Sequence, residues 1–446
     1  MSRLGARFAR FLAVLILIGI VAAGRAEALD LPIKKLVFEN GMTVLLLERP
    51  SLPFVVVDAK ILGGSLYDPD DRPGTASLTA SLLTQGTASR SAIDLAEALD
   101  SVGASLRSSA SDDFASVSLT VLKKDVQLGF EILADVLMNP SFAEGEIARE
   151  KAQIQAQIKS DMDDPARIAD KLFASLVFKN HPYGHPVEGT EESIPKIGRE
   201  DLAAFYKRYY KPNNIVMAVV GDITEEEAIE IVNARFGRWA FRNVEAPAIR
   251  SVPKAARVVK IVSKDLKQAT IRLGHPGIRR SSPDYYAAYV MNHILGGGGF
   301  SSRMMTRVRD EKGLAYDIRS GFDAGLEPGA FSVSVQTKNE TAPDAVEMVL
   351  EEINRIRKAL VSEAELADAK SYLIGSFPLR LDTNRKIASI LSSVEFYGLG
   401  LDYFETYPRR IDSVSREEVL KMARKHLNPK NYVLVIVGKP DASRLP

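Results

Sequence analysis

The chain has 446 residues, with 58 Lys and Arg against 57 Asp and Glu, so its net charge is +1 with His neutral. That balance excludes nucleic-acid binding through bulk charge, and 46% hydrophobic with 26% charged residues excludes bulk disorder, collagen and a polytopic membrane protein. Cysteine is absent, so any zinc site must draw on His181, His185, His275, His293, His426 and carboxylates.

Residues 1–28 read as a secretory signal. Arg3, Arg7 and Arg10 precede an apolar run over 11–23, and Ala26-Glu27-Ala28 places small residues where signal peptidase cuts. The run is too short to span a bilayer, so no integral membrane segment is expected after cleavage. Export without cysteine fits a periplasmic or secreted protein. Strands are predicted over 35–38 and 42–47, around the turn signal Asn40-Gly41, and over 54–62. Helices are predicted over 75–84, 92–101, 126–137, 143–160 and 165–178, and a buried strand over 215–220.

The sequence then repeats itself. Residues 211–221 (KPNNIVMAVVG) align without gaps to 428–438 (NPKNYVLVIVG), at an offset of 217. Pro212/Pro429, Asn214/Asn431, Val216/Val433, Val220/Val437 and Gly221/Gly438 are identical, and Arg199-Glu200 faces Arg416-Glu417. The repeat predicts two tandem homologous domains, 29–245 and 246–446, joined near Pro247 and Pro253. Strands and helices alternate too irregularly for a doubly wound sheet. The predicted fold class is α+β, each domain a mostly antiparallel sheet with helices packed on one face.

A set of short motifs carries a resemblance. In the first copy they are Gly63-Gly64, Pro73-Gly74, Gly86-Thr87, Asp164-Pro165, His181-Pro182-Tyr183-Gly184 and Gly189-Thr190. In the second they are Gly296-Gly297-Gly298, Ser302-Arg303, Arg309 and Gly313-Leu314-Ala315-Tyr316. In order and spacing they resemble the insulinase/pitrilysin-type zinc peptidases, the inverzincins, whose motif is H-x-x-E-H. The two-domain bacterial members and the mitochondrial processing peptidase are nearest in layout.

The resemblance places H-x-x-E-H between Pro73-Gly74 and Gly86-Thr87, where this chain reads Ser77-Leu78-Thr79-Ala80-Ser81. Both histidine ligands are serines and the general base is Ala80. The chemistry needs two imidazoles one helical turn apart and a carboxylate beside them to take a proton from water. The family's third ligand, a Glu seven positions after another Glu, corresponds to Gln157 after Glu150. The metal site is therefore expected to be degenerate at Ser77, Ala80, Ser81 and Gln157, with no metal ligand and no catalytic residue in this chain.

No other histidine pair replaces the lost one. Pro182, Gly184 and Pro186 bar a helix that would align His181 with His185. His275 and His293 read as structural, and His426 as a helix C-terminal cation. Gly296–Gly299 lacks the Gly-Lys-Ser/Thr of a phosphate loop and reads as a flexible turn. Ser193-x-x-Lys196 lacks the companion motifs of a serine–lysine hydrolase.

In the resembling family an Arg and a Tyr spaced like Arg309 and Tyr316 reach the substrate from the second domain. Both are donors suited to orienting a peptide carbonyl. The resemblance thus implies a non-catalytic subunit that is not an enzyme on its own. It would pair with a homologous zinc-bearing peptidase chain, giving it chamber wall and the Arg309/Tyr316 substrate-binding pair. No cofactor is expected here, since the zinc would sit in the partner. The alternative is a peptide-binding or scaffold protein with no protease partner.

Overall fold

The computed structural model describes residues 31–244 and 249–446; the predicted signal segment lies outside the described residues. The first copy runs β1 (Lys34–Val37), β2 (Thr43–Glu48), β3 (Phe54–Ile61), α1 (Thr75–Leu82), α2 (Ala92–Ser101), β4 (Ser105–Ala110), β5 (Ala115–Leu122), α3 (Val126–Met138), α4 (Glu144–Asp161), α5 (Pro165–Val177), α6 (Arg199–Tyr209), β6 (Ile215–Gly221) and α7 (Glu225–Phe236). The second runs β7 (Val258–Val262), β8 (Gln268–Pro276), α8 (Tyr285–Asn292), β9 (Asp317–Phe322), β10 (Ala330–Lys338), α9 (Ala342–Lys358), α10 (Glu363–Gly375), α11 (Asn384–Phe396), α12 (Tyr403–Asp412), α13 (Arg416–His426) and β11 (Val433–Val437).

The duplication is visible in the topology. One sheet has the order β1-β2-β6-β3-β5-β4 and the other β7-β11-β8-β10-β9. Without β1 the two orders coincide. Each has a single parallel pair, β2 with β6 and β7 with β11, and every other pair is antiparallel. The predicted α+β class, with mostly antiparallel sheets, holds. Strands β4 and β5 were not legible in the sequence. In β5, Ser116, Ser118 and Thr120 alternate with fully buried Val117, Leu119 and Val121, so the strand covers the core with one face only.

The remaining face of each sheet is covered from the other copy. Val44, Leu46, Val55 and Val57 pack with Phe130, Leu133 and Val136 of their own copy. The opposite face carries Leu45, Leu47, Val56, Ala218 and Val220, which join the second copy's core with Ile387, Ala388 and Leu391 of α11. Reciprocally, Ala169, Phe173 and Val177 of α5 pack on Val433, Val435 and Val437 of β11. The helices α5 and α11 occupy corresponding places in the repeat, so the two copies exchange equivalent helices.

Polar contacts fix the exchange. Asp58 of β3 is buried, accepts from Lys60 Nζ at 3.0 Å, and also accepts from Ser392 of α11. Arg272 of β8 pairs with Asp170 of α5. A third contact lies in the β4–β5 turn. There buried Asp113 accepts from the hydroxyls of Tyr183 and Tyr397 and, at 3.0 Å, from the Leu326 N–H.

Candidate functional site

Helix α1 carries the positions that the zinc motif would occupy. Asp68 accepts from the N–H groups of Gly74 and Ala76, both at 2.7 Å, and so caps the helix start. Burial pushes the Asp68 carboxyl up to about 8, against the pull of those two N–H groups. Gly74 has φ +99°, and a Cβ there would meet Gly189 Cα and the Glu188 carbonyl at 2.9 Å. At Gly189, φ +86°, a Cβ would meet the Pro73 carbonyl at 2.5 Å. Ser193 completes the junction: its hydroxyl donates to the Pro73 carbonyl at 2.7 Å and accepts from Thr190 N–H at 2.8 Å. The motifs Pro73-Gly74 and Gly189-Thr190 therefore press together and aim α1. Ser193 is a structural hydroxyl.

Three of the four family positions lie on that helix and the fourth, Gln157, on α4. Ser77 and Ser81 are half-buried, and the Ser81 hydroxyl donates to its own helix at Leu78 O, 3.1 Å. Ala80 is fully buried in the first copy's core. Gln157, exposed on α4, donates to Asp161 Oδ1 at 2.8 Å. Asp161 is held in turn by Lys171 at 2.7 Å, and Lys171 reaches Glu188 at 2.8 Å. Two neutral hydroxyls, a methyl and an amide do not make a zinc donor set. The residues present do not fit the metal that the motif order implies, and among the described residues no three His, Cys, Asp or Glu groups could hold one.

The histidines have structural partners. His181 and His185 flank the 3-10 turn Pro182–Gly184, as the prolines dictate, and burial pushes both imidazoles down. His181 Nδ1 accepts from Tyr183 N–H at 3.1 Å. His275 Nε2 accepts from Asn428 N–H at 3.0 Å, His293 stacks on Tyr372 with centroids 5.0 Å apart, and His426 pairs with Asp284 at 2.7 Å.

The second copy keeps its glycine run for packing. A Cβ at Gly296 would meet Ser320 Oγ at 2.5 Å, and one at Gly297 would meet Asn292 Nδ2 at 2.5 Å. The expected flexible turn is instead a tightly packed one, and only Gly299, at φ +59°, faces open space. Arg303 clasps Glu365 through two bonds of 2.6 and 2.9 Å, which holds that carboxyl down at about 2. Arg309 lies in the π-helical turn Met305–Glu311, its guanidinium 5.1 Å from the Phe300 ring centre and 3.9 Å from Asp310. Tyr316 precedes β9; its N–H donates to Gln336 O at 2.8 Å and its side chain is 58% exposed.

A cavity of about 480 Å³ between the copies is lined in part by Asp112, Phe173, Tyr183, Arg272, Asp323 and Tyr397. Burial and neighbouring Asp113 push the Asp112 carboxyl up to about 6. None of Ser77, Ser81, Gln157, Arg309 and Tyr316 lines this cavity. Of these residues only Tyr183, in His181-Pro182-Tyr183-Gly184, belongs to a motif singled out in the sequence, and adjacent Asp112-Asp113 in a turn carried none.

Comparison with known proteins agrees with the motif order. The profile of the insulinase family, peptidase family M16, matches residues 43–191, and that of the peptidase M16 inactive domain matches residues 196–373. The chain belongs to this family. The crystal structure of a peptidase M16 inactive domain from Pseudomonas fluorescens superimposes with a TM-score of 0.87 at 30% identity, covering 92% of this chain and 98% of that one. An uncharacterized zinc protease of Mycobacterium leprae is 29% identical over 430 residues, 95% of this chain and 96% of the relative. The non-peptidase homolog YmxG of Helicobacter pylori is 26% identical over 434 residues, 96% of this chain and 99% of the relative. Within the family, this chain has lost the zinc motif.

Proposed function

We propose that this chain is the non-catalytic subunit of a periplasmic, heteromeric zinc peptidase. One observation carries the reading. Helix α1 is still aimed by Asp68 and by the Gly74–Gly189 contact, yet it presents Ser77, Ala80 and Ser81 where the family's catalytic groups belong. The scaffold of the site is maintained and its chemistry is not. A relative described as a non-peptidase homolog supports the same view. Arg309 and Tyr316 are the groups this chain would contribute. The guanidinium is held over an aromatic face rather than consumed by a close carboxylate, and the phenol stands in solvent. Both are suited to hold a peptide carbonyl beside a zinc supplied by the partner chain.

The purified chain is expected to bind no stoichiometric zinc and to cleave no peptide. Mixed with a homologous chain that keeps H-x-x-E-H, it is expected to raise peptide turnover above that of the partner alone. Arg309→Ala in the mixture should lower kcat/KM by about 10²-fold or more, the scale of losing one oxyanion donor. One zinc per chain together with peptidase activity in the isolated protein sinks the proposal. No gain on mixing leaves the scaffold reading in its place. Mass spectrometry of the exported protein should find Leu29 at its amino terminus.

A further inference from the structure

Two turns meet at the cavity between the copies: the β4–β5 turn of the first and the β9–β10 turn of the second. Hydrogen bonds draw them together. Asp113 accepts from the Leu326 N–H at 3.0 Å, and the Tyr183 hydroxyl, itself bonded to Asp113, accepts from the Glu327 N–H at 3.1 Å. A Cβ at Gly325 would meet that hydroxyl at 2.6 Å and Asp113 Oδ2 at 2.7 Å, so only a glycine lets the turns approach this closely. The same two turns bring like charges into one space. Asp112, next to Asp113, and Asp323, three residues before Leu326, both line the cavity.

The other charges around this space already have partners. Asp170 holds Arg272, Lys171 reaches Glu188 at 2.8 Å, and Glu327 takes Arg279 at 2.6 Å. Lys60, 4.4 Å over the Phe114 ring, is bound to Asp58, and Arg280 is stacked on Tyr285. Asp112 takes only a long bond of 3.4 Å from Ser65 Oγ. Asp112 and Asp323 keep accessible surface, but it gives onto a recess walled by protein, where water screens charge less than in open solvent. Burial, with Asp113 and then Asp323 nearby, pushes the Asp112 carboxyl up to about 6, and burial with Asp170 pushes that of Asp323 up. The phenols of Tyr183 and Tyr397 are also pushed up and stay neutral in this range. We propose that this contact is a pH-sensitive joint between the two copies: it closes as Asp112 and Asp323 take up protons and loosens as they lose them. A carboxyl held above its unfolded value stabilises the closed form in full below about pH 4, and that contribution is lost as the pH rises through 6. The joint stands whether or not the chain has a peptidase partner.

Hydrogen exchange of the whole protein, followed by mass spectrometry over residues 323–330, tests this. The Leu326 and Glu327 amides are the reporters, since their bonds cross the joint and break when it opens. Each rate is divided by the chemical exchange rate at that pH. For one carboxyl at about 4 when open and about 6 when closed, the opening constant rises about ninefold between pH 5 and pH 7. Solvent in the cavity screens part of this, so a rise of about threefold to tenfold is expected. Asp112→Asn and Asp323→Asn keep the side-chain shape and remove the charge. Either one alone should reduce the rise, and the double variant should abolish it. The proposal is overturned if the corrected exchange of the segment is the same at pH 5 and pH 7, if it slows as the pH rises, or if the variants keep the wild-type rise.

Discussion

At corresponding positions on the two sheets, Asp58 lies opposite Ala218 and Arg272 lies opposite Val435. Each holds the helix its sheet receives from the other copy, but by different chemistry. Asp58 is enclosed, shares its charge with buried Lys60, and takes a hydroxyl from Ser392. Arg272 reaches Asp170, whose side chain is half exposed. Strand order and helix exchange are common to the two copies, while the polar contact at the joint has diverged. The functional elements diverge the same way. In the first copy the family's catalytic helix has become packing, with Ala80 in the core. In the second, Tyr316 is exposed and Arg309 half-buried beside Phe300.

The comparison can be broken first at the exchanged helices. Phe173→Ala on α5 and Leu391→Ala on α11 should each cost on the order of 3–5 kcal/mol in denaturant unfolding. Both variants should unfold in one transition, because each helix completes the other copy's core. Loss of one copy's signal before the other's would show that the exchange does not couple them. Next come the joints themselves. Asp58→Ala strands buried Lys60 and should cost roughly 3–5 kcal/mol, whereas Asp170→Ala removes a solvent-screened pair and should cost under about 1 kcal/mol. Equal costs would erase the distinction between them.

A pH-dependent effect is expected at the helix start. The folded Asp68 carboxyl, at about 8, lies above its unfolded value of about 4. Its contribution to stability is present in full below pH 4 and is lost as pH rises through 8. Asp68→Asn should flatten the stability profile between those values; an unchanged slope would assign the pH dependence elsewhere. The smallest change is expected for Gln157→Glu. It sets a carboxylate one turn from Asp161 and should cost about 0.5 kcal/mol or less. Equilibrium dialysis should find no zinc gained, because Ser77 and Ser81 still supply no imidazole.

Much of this architecture was legible because it is written locally. Amphipathic periods located α1 to α5, and the repeat of 211–221 at 428–438 announced two copies. Residues 77–81 showed the lost zinc motif directly, since a histidine ligand cannot be supplied by a serine. The motif glycines were legible as glycines, but their reason was not. Gly74 is required by a backbone more than a hundred residues away, and Gly296 by Ser320 on a neighbouring strand.

The amino-acid order alone determined the duplication, the α+β class and the empty donor set on α1. Only the tertiary structure decided which helix covers which sheet and that Asp113 ties Tyr183 to Tyr397. The physical reason is that periodicity reports which face of an element is apolar and never what covers it. A buried charge or hydroxyl likewise finds its partners through the fold, from residues that have no fixed spacing along the chain.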